Sequence, residues 1–216
     1  MPAEDNYPNI FHAQPITIKD VYVKPDEGVM RVIVASNGSL FTEVELDKPL
    51  INGDNVVSDV AHDVLKMVVY NRYSADKPRV AFIKGFGIKA GAIGSTVAHD
   101  SHNLIAVGTD DESLVAVINH LIEMKGAVAV CESNNQGMSF VSLPLPVAGL
   151  MSPCKGEEVA RQFKKIKGIP SRLGCQLDEP FMMLSFMALT VIPNLKLTDK
   201  GLFDSVNFEY TDLFMK

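Results

Sequence analysis

Alternation between apolar and polar positions is the clearest pattern in the first half of the chain, and it predicts β-strands. The stretch ITIKDVYV (16–23) alternates in this way. VMRVIVAS (29–36) is a β-branched run that ends at Asn37-Gly38, a turn pair whose residues both tolerate positive φ. The same criteria predict further strands at 41–46, 66–73, 79–87, 127–133 and 138–143, the last two joined as a hairpin.

A period of 3.6 residues replaces the alternation in three places and predicts three helices. The first follows Thr109 and Glu112, which have the T-x-x-E spacing of a capping box, and ends at Lys125-Gly126. The second is expected over 157–167, and the third from about Pro180 to Pro193. Strands with about three helices and no strict βα alternation indicate an α+β fold, in which helices pack on a mixed or antiparallel sheet.

Length and composition set the broad class of the protein. The chain has 216 residues, of which 47% are hydrophobic and 21% charged, as in globular proteins. We expect residues 1–14, which contain two prolines, to form a tail or linker, and residues 15–216 to form one domain. A homo-oligomer is compatible with this composition.

Charge and cysteine content limit the classes of binding partner and the cellular compartment that are expected for this chain. The net charge of −6 argues against a nucleic-acid partner bound through phosphate neutralisation. No apolar run is long enough for a transmembrane helix, and the N-terminus lacks a secretory signal pattern, so no membrane partner is expected. Three widely spaced cysteines are typical of free thiols, which predicts a reducing, cytoplasmic location.

The strongest candidate for chemistry is the polar cluster His99-Asp100-Ser101-His102-Asn103, which lies between two apolar runs. Two imidazoles offer proton transfer near neutral pH, and a neighbouring carboxylate can orient them. The alternative is a hydrogen-bonded polar turn that closes a hairpin. The H-x-x-H spacing could also ligate a metal, and Ser101 could act as a nucleophile, although neighbouring residues seldom aim at each other.

The glycine-rich stretch KGFGIKAG (84–91) is a second candidate. Its spacing matches neither the dinucleotide fingerprint nor a P-loop, so glycines used for backbone geometry are the alternative to phosphate binding. Lys84 could face a polar ligand. Arg72, which follows an apolar strand, is either a pocket residue or a surface charge.

These segments together resemble the C-terminal region of microbial adenine deaminases of the amidohydrolase superfamily. The similarity extends over about residues 10–216 and is carried by KGFGIKAGAIGSTVAHDSHNLIAVG (84–108), DVLKMVVYNRY (63–73), LPLPVAGLMS (143–152) and PFMMLSFMALTVIPNLKLTDKGLFD (180–204).

The resemblance implies a module that supports hydrolytic deamination of adenine to hypoxanthine and ammonia, beside a barrel domain in the same or another chain. That barrel would hold Mn²⁺ or Fe²⁺ through an H-x-H motif, which this sequence lacks, so no cofactor is expected on this chain and catalysis by the chain alone stays uncertain. The candidates are His99, Asp100 and His102 for catalysis and Ser101, Asn103, Arg72, Lys84, Gly85 and Gly87 for substrate binding.

Two other hypotheses stay open at this point. The first is a non-catalytic purine-binding or protein-interaction module. The second is an independent metal hydrolase that uses His99 and His102.

Overall fold

The fold is built on one large mixed β-sheet whose central strands are covered on both faces, as seen in a computed structural model that describes residues 7–74 and 76–215. The α+β prediction is confirmed. The strands are β1 (Val29–Ala35), β2 (Thr42–Asp47), β3 (Leu50–Asn52), β4 (Asn55–Val57), β5 (Leu65–Tyr70), β6 (Arg79–Lys84), β7 (Ala92–Ser95), β8 (Leu104–Gly108), β9 (Ala127–Asn134), β10 (Gly137–Pro144), β11 (Leu195–Thr198), β12 (Gly201–Asp204), β13 (Glu209–Tyr210) and β14 (Phe214–Met215). The helices are α1 (Asp111–Glu123), α2 (Gly156–Lys167), the single-turn α3 (Ile169–Arg172) and α4 (Pro180–Phe186).

The large sheet has nine strands, and its order is β10-β9-β7-β8-β5-β6-β1-β14, with β2 also paired to β1. Strands β1 and β6 run parallel, and the other neighbouring pairs are antiparallel. Strands β11 to β13 form a small separate sheet, and β3 and β4 form a hairpin. No helix within the described ranges is long and apolar enough to cross a membrane.

Side-chain alternation in the central strands supplies two cores, one on each face of the sheet. In β5, Val68 and Tyr70 face the core that the apolar stripe of α1 completes. Met67 and Val69 face the opposite core, to which α4 and the small sheet contribute. Because β5, β7 and β8 are buried along their whole length, both faces of the central sheet are shielded from water.

The strand register divides the connecting loops between two ends of the sheet. At one end β5 and β7 finish and β8 and β9 begin, since Tyr70 pairs with Leu104 and Ser95 pairs with Val128. We call this the cluster end, because the polar cluster connects β7 to β8 there. At the other end β6 finishes and β7 begins, so the stretch 84–91 lies there, and we call it the glycine end.

Residues 8–16 form an N-terminal arm that is hydrogen-bonded along the cluster end. The carbonyl oxygen of Pro8 accepts from the Ala148 N–H at 2.8 Å, and the side-chain amide of Asn9 donates to the Lys125 carbonyl at 2.6 Å. Further along the arm, the main chain of Ile16 exchanges two hydrogen bonds of 2.8 Å with the Asn119 side chain on α1. The arm therefore lies on the body of the fold from Pro8 onward, while residues 1–6 lie outside the described residues.

Three local predictions were wrong, and for the first two the structure shows the physical reason. Residues 16–23 are not a strand: Ile18–Val21 forms a 3-10 helix that begins where Asp20 accepts from the Thr17 N–H and hydroxyl. The cap of α1 is Asp110, not Thr109, because its carboxylate accepts from the Ser113 N–H at 2.7 Å. Helix α4 ends at Phe186, well before Pro193.

One lysine is buried in the small sheet, and no carboxylate among the described residues lies beside it. Lys196 on β11 is 0% exposed, and its ammonium donates to the Leu40 carbonyl at 3.1 Å. Burial lowers the pKa of Lys196 to about 8. Lys66 on β5 is equally buried, but its ammonium lies 2.8 Å from the Asp111 carboxylate, which compensates the charge.

Candidate functional site

The polar cluster forms the connection from β7 to β8, and its backbone is held from two sides. The His99 N–H donates to the Ser185 carbonyl of α4 at 2.9 Å. The His102 N–H donates to the Ala98 carbonyl at 2.6 Å, and His102 itself has a left-handed φ of 51°. Residues other than glycine seldom adopt this left-handed conformation. The surroundings of His102 therefore hold its backbone there.

The two imidazoles lie against each other. Their ring centroids are 5.4 Å apart in an edge-to-face arrangement, and the ring of His99 also packs 4.6 Å from that of Phe186. The Nδ1 atom of His102 is buried and has no hydrogen-bond partner among the described residues. Burial lowers the pKa of His102, with smaller contributions from His99 and Arg72, which predicts a neutral imidazole at pH 7.

A pocket of about 230 Å³ opens beside the cluster at the cluster end of the sheet. His99, Asp100, Ser101 and Asn103 line one side of it, whereas His102 lies behind His99 and does not line it. The opposite walls come from the segment after α4 and from the small sheet, and include the following residues: Ala188, Leu189, Thr190, Thr198, Asp199 and Tyr210.

The second half of this pocket has no local signature in the sequence, because its residues lie about one hundred positions further along the chain. The link between the halves is a hydrogen bond of 2.7 Å from the Asn71 side-chain amide to one carboxylate oxygen of Asp199. Asn71 directly precedes Arg72 at the end of β5. The string T-D-K-G in the region of resemblance was the only sequence signal for Asp199, and it indicates a turn rather than a site.

Arg72 lies behind the pocket and joins four segments. Its carbonyl oxygen accepts from the His12 N–H at 2.6 Å, and its N–H donates to the Asn103 side chain at 3.3 Å. Its guanidinium donates at 2.7 Å both to the Ala148 carbonyl and to the Tyr73 hydroxyl. Since Arg72 is 2% exposed and does not line the pocket, its contact with the cluster is through Asn103.

The remaining predicted substrate-binding residues are not near the cluster. Lys84, Gly85 and Gly87 lie at the glycine end, roughly 17 Å away along the six residues of β5 at about 3.4 Å per residue. The structure therefore brings together His99, Asp100, Ser101 and Asn103 at the pocket, with His102 and Arg72 behind them, and separates the other three.

Two N–H groups of the glycine-rich stretch are hydrogen-bonded to a carboxylate of this chain, that of Asp63. The two carboxylate oxygens of Asp63 accept from the Gly85 and Gly87 N–H groups at 2.8 and 2.7 Å. Gly85 has φ +98°, and a Cβ there would lie 1.9 Å from the Ala35 carbonyl oxygen. Lys84 pairs with Glu45 and Asp47 at 2.6 and 3.0 Å. These interactions support backbone geometry as the role of the glycines.

Potential metal ligands do not form a cluster within the described part of the chain. Within 7–74 and 76–215, no three histidine, cysteine, aspartate or glutamate side chains come together as ligands. The edge-to-face contact of His99 and His102 also differs from two rings that converge on one ion. The cysteines Cys131, Cys154 and Cys175 are free thiols, and two of them are buried.

Comparison with known proteins gives a consistent result. Residues 39–209 match the model of a protein family described as adenine deaminase C-terminal domain. An adenine deaminase of Methanosarcina mazei is 48% identical over 95% of this chain and 39% of its own length. Adenine deaminases of Parabacteroides distasonis and Borreliella afzelii are 45% and 41% identical over 96% and 94% of this chain, in each case 37% of their own length. The chain thus spans less than two fifths of these relatives.

Proposed function

The chain belongs to the family of adenine deaminase C-terminal domains, and from this membership we propose that it supports hydrolytic deamination of adenine together with a metal-dependent amidohydrolase barrel. The observation that carries the proposal is the convergence of the N-terminal arm and the polar cluster at one end of the sheet, joined through Arg72. In this proposal, a domain that precedes this one in a longer relative joins it through the arm, which is hydrogen-bonded along the cluster end.

In this proposal the two partners divide the chemistry. The barrel would hold Mn²⁺ or Fe²⁺, which would supply a metal-activated water for attack on C6 of adenine. His99, which lines the pocket, hydrogen-bonds the substrate or the departing ammonia, and Asp100 and Ser101 form the exposed rim. His102 holds the His99 ring from behind as a positioning residue. The free thiols fit a reducing cytoplasm.

Adenine turnover tests the proposal. The purified chain is assayed alone and mixed with the preceding portion of the Methanosarcina mazei adenine deaminase, with Mn²⁺ or Fe²⁺ present, by loss of adenine absorbance. We expect no turnover by the chain alone and turnover by the mixture. His99→Ala should lower turnover by the mixture at least tenfold, because it removes a group that contacts the substrate. His62→Ala, an exposed histidine before β5 at the glycine end, is the matched control.

Equal turnover with His99→Ala and His62→Ala, with both variants folded, would reduce the cluster to a structural role. Metal-dependent turnover by the chain alone would instead support an independent hydrolase.

The second candidate function is a purine-binding module without catalysis. The pocket favours it, because the pocket is formed entirely by this chain and combines apolar walls with a few polar groups. Binding of a purine without turnover in any mixture would favour this function over the first.

A further inference from the structure

We propose that the pocket at the cluster end binds the purine base itself, and that Asp199 and Tyr210 make it select a 6-aminopurine over the corresponding 6-oxopurine. The choice of purine as ligand class rests on the proposed function. The roles of Asp199 and Tyr210 rest on the geometry of the pocket, and neither residue belongs to the polar cluster.

The size of the pocket matches a single base. At about 230 Å³ it lies below the roughly 300–1,000 Å³ of sites for drug-sized molecules. Val69, Ala188 and Leu189 contribute apolar walls, which suit the faces of a planar heterocycle. A nucleotide, with its sugar and phosphate, would extend out of this volume. The described residues that line the pocket include no lysine or arginine that could meet a phosphate.

Asp199 supplies the discrimination. One of its carboxylate oxygens is fixed by the Asn71 amide at 2.7 Å, while the other has no hydrogen-bond partner in the described part of the chain. An ionised carboxylate only accepts hydrogen bonds. The exocyclic amine of adenine donates hydrogen bonds, whereas the 6-oxo group of hypoxanthine presents lone pairs that the carboxylate repels. Asn71 keeps the acceptor in place, so the pocket does not need to reorganise on binding.

Tyr210 provides a surface for the ring of the ligand. Its side chain lines the pocket and is 57% exposed. It packs edge to face on Phe203, with centroids 5.2 Å apart and an interplanar angle of 76°, which fixes the orientation of the ring. An aromatic side chain held in this way can stack on any purine, so Tyr210 contributes affinity and Asp199 contributes selectivity.

The selectivity has a consequence for the reaction. Deamination replaces the C6 amine with an oxo group, so the group that the Asp199 carboxylate accepts from is lost in the same step. A product that is repelled leaves more readily than the substrate.

The experiment is a titration of the intact 216-residue chain with adenine and with hypoxanthine, followed by NMR chemical shifts or calorimetry. We expect adenine to bind with a Kd of about 1 mM or tighter and hypoxanthine at least tenfold more weakly. Asp199→Asn should abolish the preference, because an amide both donates and accepts. Tyr210→Leu should weaken the binding of adenine about tenfold and leave the ratio of the adenine and hypoxanthine affinities unchanged. Asp178→Asn, an exposed aspartate at the glycine end, is the control.

A second probe keeps the test independent of how the variants fold. N6,N6-dimethyladenine has the purine ring but no donor on the exocyclic nitrogen, so the wild-type chain should bind it at least tenfold more weakly than adenine. Equal binding of the three bases would overturn the role of Asp199. No saturation by adenine would overturn the pocket as a base site while leaving turnover by the assembled pair intact. Conversely, selective binding without turnover in that assay would refute only the proposed function.

Discussion

Replacement of Lys196 by methionine should stabilise the protein at neutral pH. The native ammonium is fully buried, its one hydrogen-bond partner in the described part of the chain is the Leu40 carbonyl, and burial lowers its pKa from 10.5 to about 8. At about 1.4 kcal/mol per unit, this difference destabilises the folded state by about 3 kcal/mol at pH 7. Methionine fills a similar volume but leaves the Leu40 carbonyl without its donor, which costs about 1 kcal/mol. The expected gain in unfolding free energy is therefore about 2 kcal/mol.

The gain should also depend on pH in a defined direction. Because the pKa of Lys196 is lower in the folded state, the unfolded chain binds more protons between about pH 8 and pH 10.5. The unfolding free energy of the wild type therefore rises as the pH increases through that window. The Lys196→Met variant, which lacks the titrating group, does not show this rise. From the two pKa values, the stability difference between variant and wild type should be about 2 kcal/mol smaller at pH 9.5 than at pH 7.

Urea denaturation followed by circular dichroism, at several pH values between 7 and 9.5, measures this difference. Lys200→Met, which removes an exposed lysine from the same hairpin, should change stability by less than about 0.5 kcal/mol and show no pH dependence. A Lys196→Met variant that is less stable than wild type at pH 7, or whose advantage is the same at every pH, would refute the argument from burial.

The other predictions concern Gly85 and His102. Gly85→Ala should cost about 3 kcal/mol or more in denaturation experiments, because its Cβ would lie 1.9 Å from the Ala35 carbonyl oxygen at φ +98°. Gly38→Ala, at φ +75° with nothing within 4 Å, should cost only about 1 kcal/mol, and equal losses would contradict the close approach. His102 should titrate by NMR below the ordinary histidine value of 6.5, so protonation should disfavour the folded state as pH falls below it. Asp100→Asn should lower that midpoint further, since the Asp100 charge raises the pKa of His102; an unmoved midpoint would exclude this interaction.

Patterns within a single segment predicted most of the fold. The β9–β10 hairpin, α1, α2 and strands β1, β5 and β6 follow from periodicity because their apolar faces are buried by the elements they pack on. The segment 16–23 alternates as well, yet Thr17 and Asp20 form a local hydrogen-bonded turn there. Short-range side-chain bonds of this kind compete with strand pairing and are not visible in an apolar pattern.

The candidate site was predicted only in part, for a different reason. The polar cluster stands out because five hydrogen-bonding residues interrupt two apolar runs. The order of the strands determines which residues lie near that cluster. It brings Asp199 to Asn71 and places Gly85 at the opposite end of the sheet. Spacing in the sequence carries no information on such long-range pairs. A carboxylate such as Asp63, which occupies the glycine stretch, likewise has no local signature.

The strand order has a consequence for synthesis on the ribosome. The five strands β5 to β9, together with α1, come from one continuous stretch of chain, residues 65–134, so the centre of the sheet can assemble while later residues are still being translated. The pairing of Val29 and Met30 with Met215 and Phe214 joins two distant segments, so it has to wait until residues 214 and 215 have been synthesised. Until then Val29 and Met30 lack the β14 partner, whereas β2 and β6 can already pair with the rest of β1 and protect its edges.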